Sequence, residues 1–249
     1  MTINVYWSRA NPTASGFEKR GYPRSNMLSP LRVPAPVPMV NHLDYKEFFG
    51  ELAIKCPAIV DDLKNTFVIK SPVDLQLNFA EGGVNVQNQT VEFTRSFLGD
   101  PMGRFGMHQL ELSYLFFAES NLVMTQLPAY YDNNSFVNNT FQLTASFDIG
   151  RWFRVAGKPS FIIKPDTKCI DIKEGDALMY VKFNTKEKVK LIEFSDDELQ
   201  SMGDNSFERI CATLKDHSSG VITLEKCYQY FEQYNMRKRI LKMLKRNKV

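Results

Sequence analysis

The sequence predicts a mainly β protein: an antiparallel sandwich or jelly-roll-like domain with an extended amino-terminal arm and carboxy-terminal helices. From Phe67 onward apolar and polar residues alternate with a period of two, the spacing of strands that bury one face. About ten such segments follow within about 130 residues, with Gly, Pro, Asn and Asp between them, a density typical of sandwiches and barrels. The chain also contains 19 phenylalanines, which favour pleated, half-buried surfaces.

The composition divides the chain into three segments. Residues 1–43 form a Pro-rich arm, residues 44–195 the β domain, and residues 196–249 a helical segment with a basic tail. A length of 249 residues suits one large domain with appendages or two small domains, and one main domain is the default. Hydrophobic residues at 43% and charged residues at 24% are ordinary globular values, which excludes wholesale disorder.

Proline dominates the amino-terminal arm. Six prolines fall within residues 1–40, and the run PLRVPAPVPMV can sustain neither a helix nor a central strand. We therefore predict an extended arm, with a disordered terminus as the alternative. Several apolar side chains can anchor the arm along a neighbour or along its own body: Tyr6, Trp7, Phe17, Tyr22 and Met27.

Two stretches of the β domain give specific burial predictions. In TFQLTASFD, residues 140–148, strict alternation predicts one strand with Phe141, Leu143, Ala145 and Phe147 facing the core. In ELSYLFFAES, residues 111–120, both faces are apolar, which predicts a central strand. Further residues are expected in the core: Leu112, Tyr114, Val181 and Ile192.

Helical signals lie on both sides of the strands. Residues 41–65 predict one or two short helices, with Pro57 breaking the pattern. After Phe194, a helix capped by Ser195 ends at Gly203, and a second covers residues 206–214. A third helix starts at Thr223 and carries an apolar stripe: Leu224, Cys227, Tyr228, Phe231, Met236, Ile240, Met243 and Leu244.

The charge of the chain is unevenly distributed. Residues 237–249 contribute +7 to a net charge of +3, so residues 1–236 carry −4. Cations at a helix carboxy terminus complement the macrodipole, but that role does not require seven of them. A basic tail can contact nucleic acid, an anionic membrane or an acidic protein face. The predicted polyanion-binding residues are Arg237, Lys238, Arg239, Lys242, Lys245, Arg246 and Lys248.

The phrase IKPDTKCIDIKEGDALMYVKF, residues 163–183, predicts a hairpin. Its strands are residues 169–172 and 177–183, and its turn is Glu174-Gly175-Asp176. Such a strand, Gly-Asp, strand phrase recurs in closed β folds such as cupin-like jelly rolls and the trimeric dUTPase fold. By itself it predicts an architecture and no chemistry.

Four stretches in order carry a resemblance to a family: CPAIVDDLKNTFVIKSPVDLQLNF, LPAYYDN, FQLTASFDIGRWFRVAGKPSFIIKP and the phrase above. Over residues 56–194 the chain resembles a family of uncharacterised β-rich proteins of bacteria and tailed phages, including T4-like phages of marine hosts. The resemblance implies a compact β domain of phage or bacterial intracellular origin, in the host cytoplasm or in the virion. The family has no activity whose catalytic residues can be transferred.

The cysteines and the hydropathy predict a soluble protein of a reducing compartment. Cys56, Cys169, Cys211 and Cys227 stand far apart and none belongs to a Cys-x-x-Cys pair, so free and mostly buried thiols are expected. No apolar run approaches the length of about 20 residues that a membrane-spanning helix requires.

His42 and Asp44 are the best candidates for metal chemistry. A His-x-Asp pair with a distant His forms the facial triad of Fe(II) dioxygenases, and His108 can supply the third ligand. His217, with Lys226 to hold a 2-oxoglutarate carboxylate, is the other choice. The pair lies at the start of a predicted helix, where Asp44 is also explained as a cap, so the default prediction is no cofactor.

Other catalytic signatures are missing from the sequence. It contains no Gly-x-Ser-x-Gly elbow, no phosphate-binding Gly-rich loop and no His-Glu-x-x-His. The leading prediction is a non-enzymatic structural or interaction protein, a virion component or accessory factor, with protein partners or self-association. The alternatives are a cupin-like or 2-oxoglutarate/Fe(II)-dependent dioxygenase, and a nucleic-acid-binding accessory protein that uses the basic tail.

Overall fold

The computed structural model describes residues 1–9, 34–43, 56–80, 83–86, 98, 106–110, 112, 114–151, 154–155, 159–193 and 224–246. Among them, one strand pair is parallel and all others are antiparallel. The mainly β class is therefore confirmed, while a jelly-roll connectivity stays a prediction.

The described strands are β1 (Thr2–Arg9), β2 (Val37–Pro38), β3 (Thr66–Lys70), β4 (Leu75–Ala80), β5 (Gly83–Val86), β6 (His108–Gln109), β7 (Tyr114–Ala118), β8 (Val123–Leu127), β9 (Thr140–Gln142), β10 (Ala145–Asp148), β11 (Arg154–Val155), β12 (Ser160–Ile163), β13 (Cys169–Ile172), β14 (Ala177–Phe183) and β15 (Lys188–Glu193). The described helices are α1 (Met39–His42), α2 (Pro57–Leu63), α3 (Ser135–Asn139), α4 (Leu224–Gln233) and α5 (Met236–Arg246).

These strands form four sheets around a shared core. Their strand orders are β11-β7-β1-β15, β10-β8-β14-β3-β2, β6-β12-β9 and β13-β4-β5. The ring of Phe116 in the first sheet lies 5.8 Å from that of Phe183 in the second, which in turn lies 5.6 Å from Phe67. The four-stranded and five-stranded sheets therefore pack against each other through aromatic side chains.

The first residues of the predicted arm, 2–9, are extended as a strand inside a sheet of the body. Strand β1 runs parallel to β15 and antiparallel to β7. Its residues Val5, Tyr6 and Trp7 are buried. The strand is compatible with the sequence because the prolines begin only at Pro12. The body is thus the anchor for Tyr6 and Trp7, while residues 10–33 lie outside the described part.

The proline-containing residues 37–38 form the edge strand of the five-stranded sheet. Strand β2 pairs Val37 with Val68 and Pro38 with Phe67. Because proline cannot donate a ladder hydrogen bond, an edge position is where a sheet tolerates it. Pro34 also contributes, since its carbonyl oxygen accepts a 2.6 Å hydrogen bond from the Tyr114 hydroxyl.

Residues 163–183 contain both predicted strands, but the hairpin is wrong. Strand β13 pairs with β4 and strand β14 pairs with β3 and β8, so the two strands lie in different sheets. The Gly175 turn, with φ of +88°, instead lies beside the turn between β3 and β4. Ser71 N–H donates to the Asp176 carbonyl at 2.8 Å, and Gly175 N–H donates to the Ser71 carbonyl at 2.9 Å. The antiparallel pairs β3–β14 and β4–β13 are therefore connected by two turns that lie side by side.

The predicted strand over residues 140–148 is two strands in two sheets. Strand β9 pairs with β12, and strand β10 pairs with β8. Phe141 is 55% exposed and Leu143 is 39% exposed, so their predicted burial is wrong. On β9 the buried side chain is Thr140, on the face opposite Phe141. The Thr140 hydroxyl donates a 2.7 Å hydrogen bond to the Phe136 carbonyl oxygen. The alternation therefore predicted the inner face correctly on β10, where Phe147 packs against the core, and wrongly on β9.

Most other core predictions hold. Strand β7 is buried along its whole length, and Leu112, Tyr114 and Val181 are buried as predicted. Phe147 and Ile192 are only half-buried. Cys169 is exposed and Cys56 half-buried, both as free thiols, so the expectation of buried cysteines is wrong at Cys169.

The predicted third helix is two helices. Asn235, with φ of +50°, interrupts the helical conformation between α4 and α5. Asparagine tolerates this left-handed conformation better than most residues, which makes it a suitable break. The stripe is confirmed at four buried positions: Phe231, Met236, Ile240 and Leu244. The helices predicted over 195–203 and 206–214 lie outside the described residues.

Candidate functional site

Helix α5 holds the basic segment on a fixed support. Three apolar side chains spaced four residues apart are buried: Met236, Ile240 and Leu244. Lys238, Arg239 and Lys242 lie on the other side of the helix and are exposed. Within the described part of the chain, no carboxylate forms an ion pair with these three. The side chains of Lys245 and Arg246, and all of Lys248, lie outside that part.

Arg237 attaches α5 to the β domain. Its Nε donates a 2.5 Å hydrogen bond to the carbonyl oxygen of Gly150, and its Nη2 donates to the side-chain oxygen of Asn121. Both acceptors are neutral, so these contacts orient the guanidinium without cancelling its charge. Arg237 is therefore a docking residue as well as a member of the predicted basic set.

The turn that receives Arg237 is itself rigidly placed. Oδ1 of Asp148 accepts the backbone N–H of Gly150 at 3.0 Å and of Arg151 at 3.1 Å. A Cβ atom on Gly150 would lie 1.8 Å from the backbone oxygen of Ser120. Only glycine fits at this close approach between the turn and the backbone of Ser120. The approach fixes the direction of the chain at Arg151, directly after the turn.

A cleft of about 890 Å³ lies between α4, α5 and this turn. Among the described residues that line it, cations outnumber carboxylates by four to one. The cations are Arg151, Arg237, Lys238 and Lys242, and the carboxylate is Glu232. The volume lies in the range of ligand-binding clefts in proteins. The excess charge makes the cleft suitable for an anionic ligand.

The remaining lining residues add amide groups and apolar surface. Asn121 and Asn235 contribute side-chain amides, and Phe231 and Leu241 contribute carbon atoms. A cleft that combines cations, amides and apolar side chains can contact a ligand that has both an anionic and an apolar part.

Arg151 and Glu232 form the ion pair inside the cleft. Nη2 of Arg151 lies 2.7 Å from Oε1 of Glu232, and the two side chains are 37% and 58% exposed. Such half-exposed pairs contribute little to stability because water screens them. A ligand anion can therefore compete with Glu232 for Arg151.

Sequence reasoning missed the β-domain side of this cleft. Arg151 follows a turn signal, Asp148 to Gly150, but its sequence position lies 86 residues before Arg237. No local pattern indicates that these two arginines share one surface. Only the docking of α5 brings them together.

His42 is paired with Asp132 rather than with its predicted partner. Nε2 of His42 lies 2.9 Å from Oδ1 of Asp132, and the side chains are 12% and 16% exposed. Asp44, the other half of the predicted facial triad, lies outside the described residues. Sequence spacing could not indicate Asp132, which stands 90 residues further along the chain.

Tyr180 completes the contacts of Asp132. Its hydroxyl donates a 2.5 Å hydrogen bond to Oδ2 of Asp132 and accepts one from the Tyr131 N–H at 3.2 Å. Burial, with the Asp132 hydrogen bond as the second cause, raises the pKa of Tyr180, so the phenol stays protonated as a donor. The three side chains join α1, the segment after β8, and β14, which is a structural link between elements.

The other predicted metal ligands are not beside His42 in any described cluster. His108 is buried in β6 and stacks on Phe161 with ring centroids 5.7 Å apart. Burial lowers the pKa of His108, which therefore favours the neutral imidazole. Lys226 is exposed on α4, and His217 lies outside the described residues. Within the described ranges, no three His, Cys, Asp or Glu side chains stand close enough to hold a metal ion.

No family model, curated protein or solved structure matches this chain. The resemblance to bacterial and phage β-rich proteins therefore stays a prediction. Among the helices of the described residues, none is both long and apolar enough to cross a membrane.

Proposed function

We propose that this is a non-enzymatic interaction protein that binds a polyanionic partner through the exposed side of α5. The observation that supports it is a helix docked by buried side chains that still leaves three cations exposed: Lys238, Arg239 and Lys242. Like charges at i, i+4 destabilise a helix by a few tenths of a kcal/mol, and packing of the opposite face does not require them. A polyanion compensates that repulsion.

The basic set predicted from the sequence acquires two roles under this proposal. Arg237 holds the helix on the β domain, as its contacts with Gly150 and Asn121 indicate. Lys238, Arg239 and Lys242 contact the partner, and Lys245, Arg246 and Lys248 extend the same charge along the chain. Because the helix is already docked, binding of the partner does not have to include the free-energy cost of ordering its backbone.

The test changes charge and leaves the helix in place. Deleting residues 237–249 would expose the surface that Ile240 and Leu244 cover, so a triple variant Lys238→Gln, Arg239→Gln, Lys242→Gln is preferable. Fluorescence anisotropy with a labelled single-stranded oligodeoxynucleotide measures affinity between about 50 and 200 mM salt. We expect the log–log salt slope to fall by about 2, because each phosphate contact on a single strand contributes about 0.7.

The control removes one cation elsewhere. Lys190 is exposed on β15 and does not line the cleft, so Lys190→Gln should bind as the parent chain does. Equal affinity and equal salt slope for the parent chain and the triple variant would overturn the proposal. The proposed place of the protein in a phage particle or infected host is tested separately, by searching purified particles for it.

A further inference from the structure

We infer that the cleft between α4, α5 and the Gly150 turn binds the nucleotide units of a nucleic-acid strand, with Arg151 of the β domain as a phosphate-binding residue. This inference rests on the proposed function of α5 and deepens it, because it names the partner class and adds residues outside the basic tail.

Charge gives the first reason. The described residues of the cleft include four cations from two parts of the chain and one carboxylate, Glu232, which pairs with Arg151. Arginine binds phosphate through a planar fork of donors, and Lys238 and Lys242 supply point charges one helical turn apart, about 6 Å along the axis. Phosphates along a strand can therefore contact the helix and the turn at the same time.

The apolar lining gives the second reason. Leu241 lines the same cleft as the cations and is only half-buried, so part of its apolar side chain is accessible there. A nucleotide carries an anionic phosphate beside an apolar base face, so it can use both kinds of surface. In a nucleic-acid strand every charged unit also carries an apolar base face, whereas the Asp and Glu residues of an acidic polypeptide carry a charge alone. The combination therefore favours nucleic acid over an acidic polypeptide.

Rigidity gives the third reason. The Asp148 hydrogen bonds and the close contact of Gly150 with Ser120 fix the turn, and Arg237 fixes α5 on that turn. The β-domain and helical sides of the cleft are held in one geometry, so a strand meets preformed donors.

The experiment measures binding of a labelled single-stranded oligodeoxynucleotide to the full chain and its variants. Arg151→Gln should weaken binding about tenfold, equivalent to about 1.4 kcal/mol, because a charge-assisted hydrogen bond to phosphate is lost, and it should reduce the salt slope by about 0.7. Glu232→Gln breaks the same ion pair but keeps the arginine, so it should bind at least as tightly as the parent chain. Lys190→Gln is the control and should bind unchanged.

Two results separate this inference from the proposed function. If the triple α5 variant loses affinity while Arg151→Gln binds like the parent chain, the tail binds polyanions but the cleft does not, and the inference is overturned alone. If Glu232→Gln weakens binding as much as Arg151→Gln, loss of the ion pair has displaced α4, and Arg151 is not a phosphate ligand. If neither the triple variant nor Arg151→Gln changes affinity, both proposals fail.

Competition distinguishes the partner class. A mononucleotide should displace the labelled strand at lower concentration than inorganic phosphate does, because it can also contact the accessible part of Leu241. Equal displacement by inorganic phosphate would show that the apolar lining has no part and would overturn the nucleotide inference. Tighter binding of polyglutamate than of an oligonucleotide of similar charge would identify an acidic protein as the partner instead.

Discussion

Asn65 shows how much a single side chain contributes to this fold. With φ of +58°, it occupies the left-handed region, and its amide group donates to the carbonyl oxygens of Thr185 at 3.1 Å and Glu187 at 2.7 Å. Its Oδ1 accepts the Val189 N–H at 2.9 Å. One residue between α2 and β3 therefore holds the connection between β14 and β15.

Replacing Asn65 should be costly although the residue is not in the core. Three hydrogen bonds at about 1 kcal/mol each, with added strain for a side chain at positive φ, predict that Asn65→Ala destabilises the protein by about 3–4 kcal/mol. Asn65→Gly keeps the backbone conformation and should cost less. Urea unfolding measures both, and an Asn65→Ala midpoint equal to that of the parent chain would contradict the role of this side chain.

The burial of His108 predicts that the free energy of unfolding depends on pH. Burial lowers its pKa in the folded chain, so the unfolded chain binds a proton more readily. Stability should therefore fall as the pH drops through about 6.5, the unfolded value, and stop falling below the lowered folded value. His108→Phe keeps the stacking on Phe161 and removes the titration. The difference in unfolding free energy between parent and variant should change between about pH 7.5 and pH 5.5; a constant difference would contradict the prediction.

At the scale of elements, short pieces of secondary structure are held by contacts with distant segments. Helix α1 has only four residues, too few for an isolated helix to persist, and His42 ties it to Asp132. Strands β9 and β10 follow each other closely but join different sheets. Helix α5 is placed by Arg237 and its buried stripe. Each element therefore has its position set by a partner that the local sequence does not indicate.

The link at Asp132 should behave as one unit. Asp132→Ala leaves the buried Tyr180 hydroxyl without its acceptor, which predicts a loss of about 1–3 kcal/mol. Tyr180→Phe removes the donor as well, so the cost of Asp132→Ala should be smaller in that background. A double-mutant cycle by chemical denaturation measures the coupling, and strictly additive losses would show that the hydrogen bond does not matter.

At the scale of the whole molecule, the first and the last of the described strands pair directly with each other. Strand β1 pairs with β15 from Thr2 opposite Lys188 to Trp7 opposite Glu193, and with β7 on its other side. Four sheets share one core, and the first of them has the amino terminus as an interior strand. The amino-terminal residues are thus part of the folded domain.

Removing residues 1–8 should prevent folding. Burying a large apolar side chain contributes about 1.5–3 kcal/mol, and loss of Val5, Tyr6 and Trp7 together approaches the total stability of a domain, about 5–15 kcal/mol. Tyr6→Phe is the matched control, because it keeps the buried ring and removes the hydroxyl that donates a 2.6 Å hydrogen bond to Glu119. Circular dichroism and thermal unfolding test this; a truncated chain with an unchanged melting transition would favour the detachable arm.

The sequence allowed the secondary structure to be predicted better than its pairing. The hydrophobic pattern correctly predicted strands β7 and β14 and the burial of Leu112, Tyr114 and Val181. It could do so because the apolar faces of a strand are visible in the strand's own sequence. It did not indicate that β13 and β14 part at the Gly175 turn, since a turn has similar chemistry whether it closes a hairpin or a corner. At the site, the cations of α5 were evident and Arg151 was not.

The sequence by itself determined the β-rich class and the concentration of positive charge in residues 237–249, because composition and period are local properties. Only the tertiary structure decided that residues 2–9 are an interior strand, that Phe141 faces outward, and that Arg151 meets Arg237 at one cleft. Those facts depend on which distant backbone groups satisfy each other's hydrogen bonds and which apolar faces become covered. A local pattern does not contain the identity of its distant partner.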